Sequence, residues 1–370
     1  CLMELEEEAN LNVLYSEKDK LVQKVLAGDF KEPPKPVDVP EDANVPLPDL
    51  PQSFHDAVKD LDLSETRQAY INQIPKQVHP DLLKDEKWME LLLSEKAMAT
   101  WGEPFDGNKG GIKGIPDLEL TARYHEMPYS HRAKCRQVPL QLKEIVSKHI
   151  QKFIDKGLFS RIRYPHFTSP TVIADKATEP FFRLAIDYRW LNQFITMIQA
   201  HVPVILEEIH KAKGWKYFGD IDWKEAFHQI KLADKTSELM SIITDLGPLK
   251  PNYMMEGVAP ASSVLQNVVA DIFSPLRDFT ICMFDNILTG ASTIDELRER
   301  TEAVIDICYK HNVKLNFKKT HLGHGTAKFF GYELYEDGYR IDEQRKKAIS
   351  EIGMPGTGKS PRENRKQMKS

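Results

Sequence analysis

The reading of this chain turns on two short runs, Phe218-Gly219-Asp220-Ile221-Asp222 and Ile281-Cys282-Met283-Phe284-Asp285-Asn286. Each sets an aspartate at the end of an apolar, β-prone stretch. The second lies between two such stretches, 279–284 and 287–288, as at the tip of a hairpin. Two carboxylates brought together from separate strands can hold a pair of Mg²⁺ ions about 4 Å apart, the arrangement used for in-line phosphoryl transfer. One aspartate at a strand end says little by itself, so the weight falls on the residues around these two.

The sequence has 370 residues and a net charge of −5, which looks unsuited to a nucleic-acid partner until it is divided. Residues 1–120 hold 13 Lys and Arg against 25 Asp and Glu, whereas the remainder holds 37 against 30. The basic excess coincides with the two aspartate runs, as contact with phosphates requires; a solvated lysine-rich surface is the plainer account of the same numbers. Cys1, Cys135, Cys282 and Cys308 form no CxxC pair and no disulfide-like spacing, which points to a reducing, intracellular compartment. His321 and His324 form an HxxH with no cysteine or second histidine pair to complete a zinc site. No apolar run reaches transmembrane length and no secretory signal is visible, so no membrane partner is expected. The first residue is Cys and the chain closes on Lys366-Gln-Met-Lys-Ser370, so both ends read as cuts within a longer polyprotein.

Three regions separate along the chain. Residues 1–115 form an acidic extension: an amphipathic helical pattern over 1–30, a proline-rich linker over about 32–51, helical patterns at 52–74 and 80–97, then a glycine-rich loop. No chemistry is visible there, and a disordered or partner-binding segment is expected. Residues 116–352 read as a mixed α+β domain. Leu142, Ile145, Val146, His149, Ile150 and Phe153 give one apolar helical face stopped at Gly157. Strands are expected at 171–174 and 181–188 as a pair, and at 217–221 and 281–284 as a central sheet, with helices at 258–273 and 296–309 beneath it. That order suits a split βαβ, ferredoxin-like unit. Residues 353–370 read as a linker.

Asp222 opens Asp222-Trp-Lys-Glu-Ala-Phe227-His228-Gln229-Ile230, which resembles the first palm motif of reverse transcriptases, in particular those of gypsy-class LTR retrotransposons. The resemblance runs in order over about 115–352. It takes in a helix at 143–157, Ser169-Pro170-Thr-Val-Ile-Ala-Asp-Lys176, and Phe182-Arg183-Leu-Ala-Ile-Asp187-Tyr188-Arg189-Trp-Leu191-Asn192. Glu256-Gly257-Val258-Ala-Pro260-Ala261-Ser262 with Gln266, Phe284-Asp285-Asn286, Lys314-Leu315-Asn316-Phe-Lys318-Lys319 and Phe329-Phe330-Gly331-Tyr332 complete it. It implies the fingers and palm of a right-hand polymerase, an RNA-directed DNA polymerase that extends a primer on an RNA or DNA template with dNTPs and Mg²⁺ or Mn²⁺.

The same resemblance implies roles. Asp222 and Asp285 would bind the metals, with Asn286 beside them. Phe227 would close the space of a ribonucleotide 2′-hydroxyl; an ordinary core phenylalanine is the alternative. Arg183 and Lys176 fall where the fingers grip the incoming triphosphate, for which a guanidinium fork and an ammonium are both suited. Asp187 and Arg189 could instead form a structural ion pair. Lys319 matches a lysine that protonates departing pyrophosphate, and Lys318 is an equal candidate by proximity. Gly257 and Gln266 fall in the nucleotide and template pocket, Gln266 with a structural role as its alternative. Phe330, Gly331 and Tyr332 resemble the primer grip.

Two features depart from the family pattern. Tyr-x-Asp-Asp is replaced by Met283-Phe284-Asp285-Asn286, which removes one negative charge from the metal site; Asn286 also suits left-handed hairpin geometry. Asp220, on the same strand face as Asp222, is expected to supply part of the missing charge. Pro-Phe-Gly is replaced by Met255-Glu256-Gly257, putting a carboxylate near the base-pair pocket. Separately, Gly353-Met-Pro-Gly-Thr-Gly358-Lys359-Ser360 satisfies a phosphate-loop pattern but lacks a preceding strand. A palm-to-thumb linker is expected there. The alternative to an active polymerase is a decayed or repurposed copy that holds nucleic acid without copying it.

Overall fold

Side-chain caps punctuate the first described segment. Ser64, Asp85 and Ser94 each accept a backbone N–H at a helix start, and Pro75 and Pro80 occupy first-turn positions. The two helical stretches expected there are therefore five short helices: α1 (Glu65–Ile71), α2 (Ile74–Gln77), α3 (Pro80–Leu83), α4 (Glu86–Leu93) and α5 (Glu95–Trp101). The structure is a computed structural model that describes residues 64–107, 110–138, 140–175, 182–343 and 345–347. The expected helix over 1–30, the proline-rich linker, residues 52–63 of the helix expected at 52–74, Lys176, the phosphate-loop-like run and most of 342–352 lie outside the described residues.

The next elements are β1 (His131–Arg132), α6 (Leu140–Asp155), β2 (Phe159–Arg161), β3 (Phe167–Asp175) and β4 (Phe182–Ile186). Helix α6 buries Leu142, Val146 and Ile150 as expected, but Ile145 is exposed, because it lies a quarter turn off that row. Gly157 takes φ +73°, and bonds from Leu158 N–H to the Phe153 carbonyl and from Gly157 N–H to the Ile154 carbonyl close the helix as a Schellman motif. Then follow α7 (Ile205–Ile209), β5 (Tyr217–Asp222), α8 (Asp234–Leu239), β6 (Ile242–Thr244) and β7 (Gly247–Pro251). Strands β1-β3-β6-β7-β2 form one sheet with β4 paired to β3.

Elements α9 (Ala261–Phe273), β8 (Thr280–Met283), β9 (Asn286–Ala291), α10 (Ile294–Lys310) and β10 (His321–His324) complete the palm. The spatial order is β10-β5-β9-β8, with every neighbouring pair antiparallel. Chain order β5-α9-β8-β9-α10-β10 with that pairing is the expected ferredoxin-like split βαβ unit. Alternation divides its two faces. Ile221, Ile287 and Ala291 pack with α9 and α10, whereas Phe218, Ile281, Met283 and Leu288 form a second cluster with Trp215, Phe329 and Leu334. Asp220 and Asp222 continue the second face beyond Phe218. A three-stranded sheet of β11 (Ala327–Phe329), β12 (Tyr332–Tyr335) and β13 (Gly338–Ile341) borders it.

Residues 64–105 share the main core with the palm, so no core boundary falls near 115. The Tyr70 and Trp101 rings meet Phe317 edge-on at 4.6 and 5.1 Å. His79 N–H donates to the Leu322 carbonyl at 2.8 Å, and Leu315 N–H to the Thr100 carbonyl at 3.0 Å. Gly323 admits this contact: its φ is +81°, and a Cβ there would stand 2.5 Å from Leu82 Cδ2.

Leu82 is fully buried in this shared core. Leu82→Ala is expected to cost about 2–5 kcal/mol and to lower one cooperative unfolding transition. Tryptophan fluorescence and far-UV circular dichroism followed in denaturant should coincide; two separate transitions would show that the helices and the palm are independent.

Candidate active site

Backbone register places the central residues. Asp222 of β5 pairs with Asn286 of β9, which pairs in turn with Met283 of β8. Directly paired residues project to the same face, so Asp222 and Asn286 stand side by side. The hairpin closes through the two-residue loop Phe284-Asp285. Phe284 takes φ +52°, as the first position of a II′ turn requires, and its N–H donates to Gln266 Oε1 at 2.9 Å. The Asp285 carbonyl accepts the Trp223 N–H at 2.8 Å, tying the loop to the residue after Asp222.

One expectation is corrected here. The left-handed residue is Phe284, not Asn286, which sits in regular strand pairing and donates its Nδ2 to Asp285 Oδ1 at 3.2 Å. Gln266 takes its structural alternative: it is 2% exposed, and its carbonyl oxygen is spent on the hairpin.

Charge crowds at this corner. Burial pushes the Asp222 carboxyl above the usual carboxylate range; the Lys319 ammonium opposes this, and the Asp285 charge adds to it. Lys319 Nζ lies 3.2 Å from Asp222 Oδ2, reaching from a single turn at Phe317–Lys319, and Asn316 N–H donates to the Asp222 carbonyl at 2.7 Å. Lys319 rather than Lys318 thus makes the contact. Asp220 is pushed up to about 7, chiefly by burial and then by the charge of Asp222.

The fingers strand β4 carries Arg183, which is exposed and 3.6 Å from Glu256. Asp187 takes the structural alternative: Arg189 grips it with two bonds and Arg136 with a third, holding its carboxyl down to about 2. Phe227 is half-buried against the main core in the turn Ala226–Gln229. Gly257 takes φ +93° and offers its carbonyl to Asn192 Nδ2. Phe330 and Gly331 form the β11–β12 turn with φ +47° and +83°, and the Phe330 ring lies 6.4 Å from Phe284. Arg345 donates to the Phe330 carbonyl and stacks over Tyr332. The two tight hairpins therefore meet through one aromatic residue each.

Two positioning residues escaped sequence reasoning. Asn192 bridges the Gly257 carbonyl and the Ala259 N–H, and fully buried Gln229 exchanges two bonds with the Lys314 backbone. Both close or nearly close a motif run quoted above, which was the available signal, though neither run assigned them a contact. Among the described residues, no three His, Cys, Asp or Glu side chains form a metal cage.

The Asp220 proton is retained in the folded chain up to about pH 7, whereas the unfolded chain releases it near the ordinary value of about 4. Between those values the unfolded state binds fewer protons, so this group lowers stability as pH rises. Asp220→Asn is expected to gain stability over the unaltered chain from about pH 4 to about pH 7. Denaturant midpoints at both ends measure it; a constant difference would contradict the assignment.

Residues 174–334 match the family model described as reverse transcriptase (RNA-dependent DNA polymerase). The Pol polyprotein of transposon gypsy from Drosophila melanogaster is 24% identical over 287 residues, 75% of this chain and 27% of the relative. That of transposon 297 from the same organism is 25% identical over 320 residues, 85% of this chain and 28% of the relative. The chain thus spans a little over a quarter of these relatives. Among solved structures, foamy viral protease-reverse transcriptase in complex with dsDNA superimposes with a TM-score of 0.65 at 18% identity, over 84% of this chain and 63% of that one. The same viral protein in complex with RNA/DNA hybrid gives 0.63 at 18% identity, over 80% and 38%. Residues 174–334 thus match a reverse transcriptase domain, set in a sequence similar to the Pol polyproteins of transposons gypsy and 297.

Proposed function

We propose that this chain is an RNA-directed DNA polymerase region that extends a primer 3′-hydroxyl with dNTPs on an RNA or DNA template in a reducing intracellular compartment. The observation that carries the reading is the register of β5 against β9, which sets Asp222 beside the Asp285-Asn286 corner. The donor set suits Mg²⁺ or Mn²⁺. Two carboxylates without a full protein cage are what a hard cation shared with substrate phosphates uses, and buried Asp222 gains from a nearby positive charge. When bound, a metal pair polarises the α-phosphate and lowers the pKa of the 3′-hydroxyl.

The remaining roles belong to side chains. Asp222 and Asp285 hold the cations, and Lys319, already paired with Asp222, is the nearby ammonium that can give a proton to pyrophosphate. Arg183, with Lys176, neutralises the triphosphate; Phe227 and Gly257 shape the sugar and base pocket; Phe330, Gly331 and Tyr332 hold the primer end. Phosphoryl transfer asks for little beyond such positioning and charge compensation. The similar foamy viral protease-reverse transcriptase, in complex with dsDNA and with RNA/DNA hybrid, supports a primer–template partner.

A second reading, a decayed copy that binds nucleic acid without copying it, is favoured by Asn286, whose amide donates to Asp285 where a second carboxylate would repel it. Primer extension separates the two. The unaltered chain is expected to extend with Mg²⁺, and Asp222→Asn to lose about three orders of magnitude, since the metals contribute several kcal/mol. Extension that appears only in Asn286→Asp would establish the decayed copy, and equal extension by Asp222→Asn would overturn the assignment of the site.

A further inference from the structure

The carboxylate of Glu256 stands in the loop just before Gly257, and its Oε2 lies 3.6 Å from Arg183 Nη1. Among the described residues the Arg183 side chain has no hydrogen bond and no other ion pair. The guanidinium groups of Arg136 and Arg189 are both committed to Asp187. Of these three arginines Arg183 is therefore the one left available to a ligand, and Glu256 is what occupies it. Both side chains are about three-fifths exposed, at 62% and 60%. An ion pair so open to water adds little to stability, so folding alone does not account for it.

The loop backbone that follows Glu256 is held in place. Gly257, at φ +93°, offers its carbonyl to Asn192 Nδ2, and Ala259 N–H donates to Asn192 Oδ1. A Cβ at Gly257 would stand 3.3 Å from the Ile186 carbonyl, at the end of the strand that carries Arg183. Glu256 is thus tethered beside that strand by a backbone with little room to move.

We propose that Glu256 is a charge gate on the nucleotide site: it holds Arg183 between turnovers and must release it to the incoming triphosphate. The proposal rests on the polymerase reading above and adds an affinity-determining residue to it. A triphosphate must displace the carboxylate from the guanidinium and then lie near a like charge. Both effects weaken binding of the nucleotide without touching the reacting atoms, and both are screened by salt.

Steady-state primer extension with Glu256→Gln tests this. KM for dNTP is expected to fall about 3- to 10-fold at about 50 mM salt, with kcat within about two-fold and the difference shrinking at about 200 mM. In an Arg183→Gln background the same substitution should lower KM by much less, because the competition is gone. Calorimetric titration with inorganic tripolyphosphate reads the gate without turnover, and Glu256→Gln should bind it about 3- to 10-fold more tightly. An unchanged or raised KM in a chain that extends primers overturns the gate and leaves the polymerase reading standing. In a chain that extends nothing, the polymerase reading fails, and equal tripolyphosphate affinity overturns the gate as well.

Discussion

The hydrogen-bond ladder between β5 and β9 is the constraint on which the site depends. Side chains alternate across a strand, so a one-residue slip would turn Asp222 away from the hairpin and into the helices beneath the sheet. The observed register leaves Asp222 opposite Asn286 and next to Asp285. Two further contacts guard it: the Trp223 N–H to the Asp285 carbonyl, and the buried Gln266 amide at the turn. Helices α9 and α10 supply the apolar floor that makes the wrong register costly.

Repulsion shapes the rest. The charge of Asp222 acts on Asp220 and that of Asp285 on Asp222, and burial raises the Asp220 and Asp222 carboxyls more than either charge does. Lys319 offsets part of this, and the amide of Asn286 removes a further carboxylate from the corner. Such an arrangement is unfavourable until positive charge arrives, which is the electrostatic condition for binding cations together with a polyphosphate. Arg183, the arginine proposed to take the triphosphate, is likewise paired with a carboxylate, that of Glu256.

The palm was legible because its elements have clean periods. The strand at 217–222, the hairpin and the two long helices each bury a regular face, and their boundaries fall within a few residues of those read from sequence. The helices of residues 64–101 were read as part of an acidic extension, because four- to eight-residue helices joined by caps show no sustained period and their acidic outer faces dominate the composition. Their buried aromatics, Tyr70, Trp88 and Trp101, find partners only in the tertiary fold. Local propensity hid the backbone conformation of both turns, though not the place of the hairpin at 284–285: Phe284 and Phe330 adopt positive φ, where Gly or Asn would be expected, and their rings lie 6.4 Å apart. The particular contacts of Gln266 and Glu256 stayed hidden for the same reason, since each acts on a residue distant in sequence.

The central claim is that Asp222 and Asp285 together hold two cations. Pulsed electron paramagnetic resonance of the chain loaded with Mn²⁺, a chain-terminated primer–template and dNTP measures this most directly. The account predicts a coupled Mn²⁺ pair about 4 Å apart, with the coupling lost in both Asp222→Asn and Asp285→Asn. Manganese signals left unchanged by either substitution would contradict it.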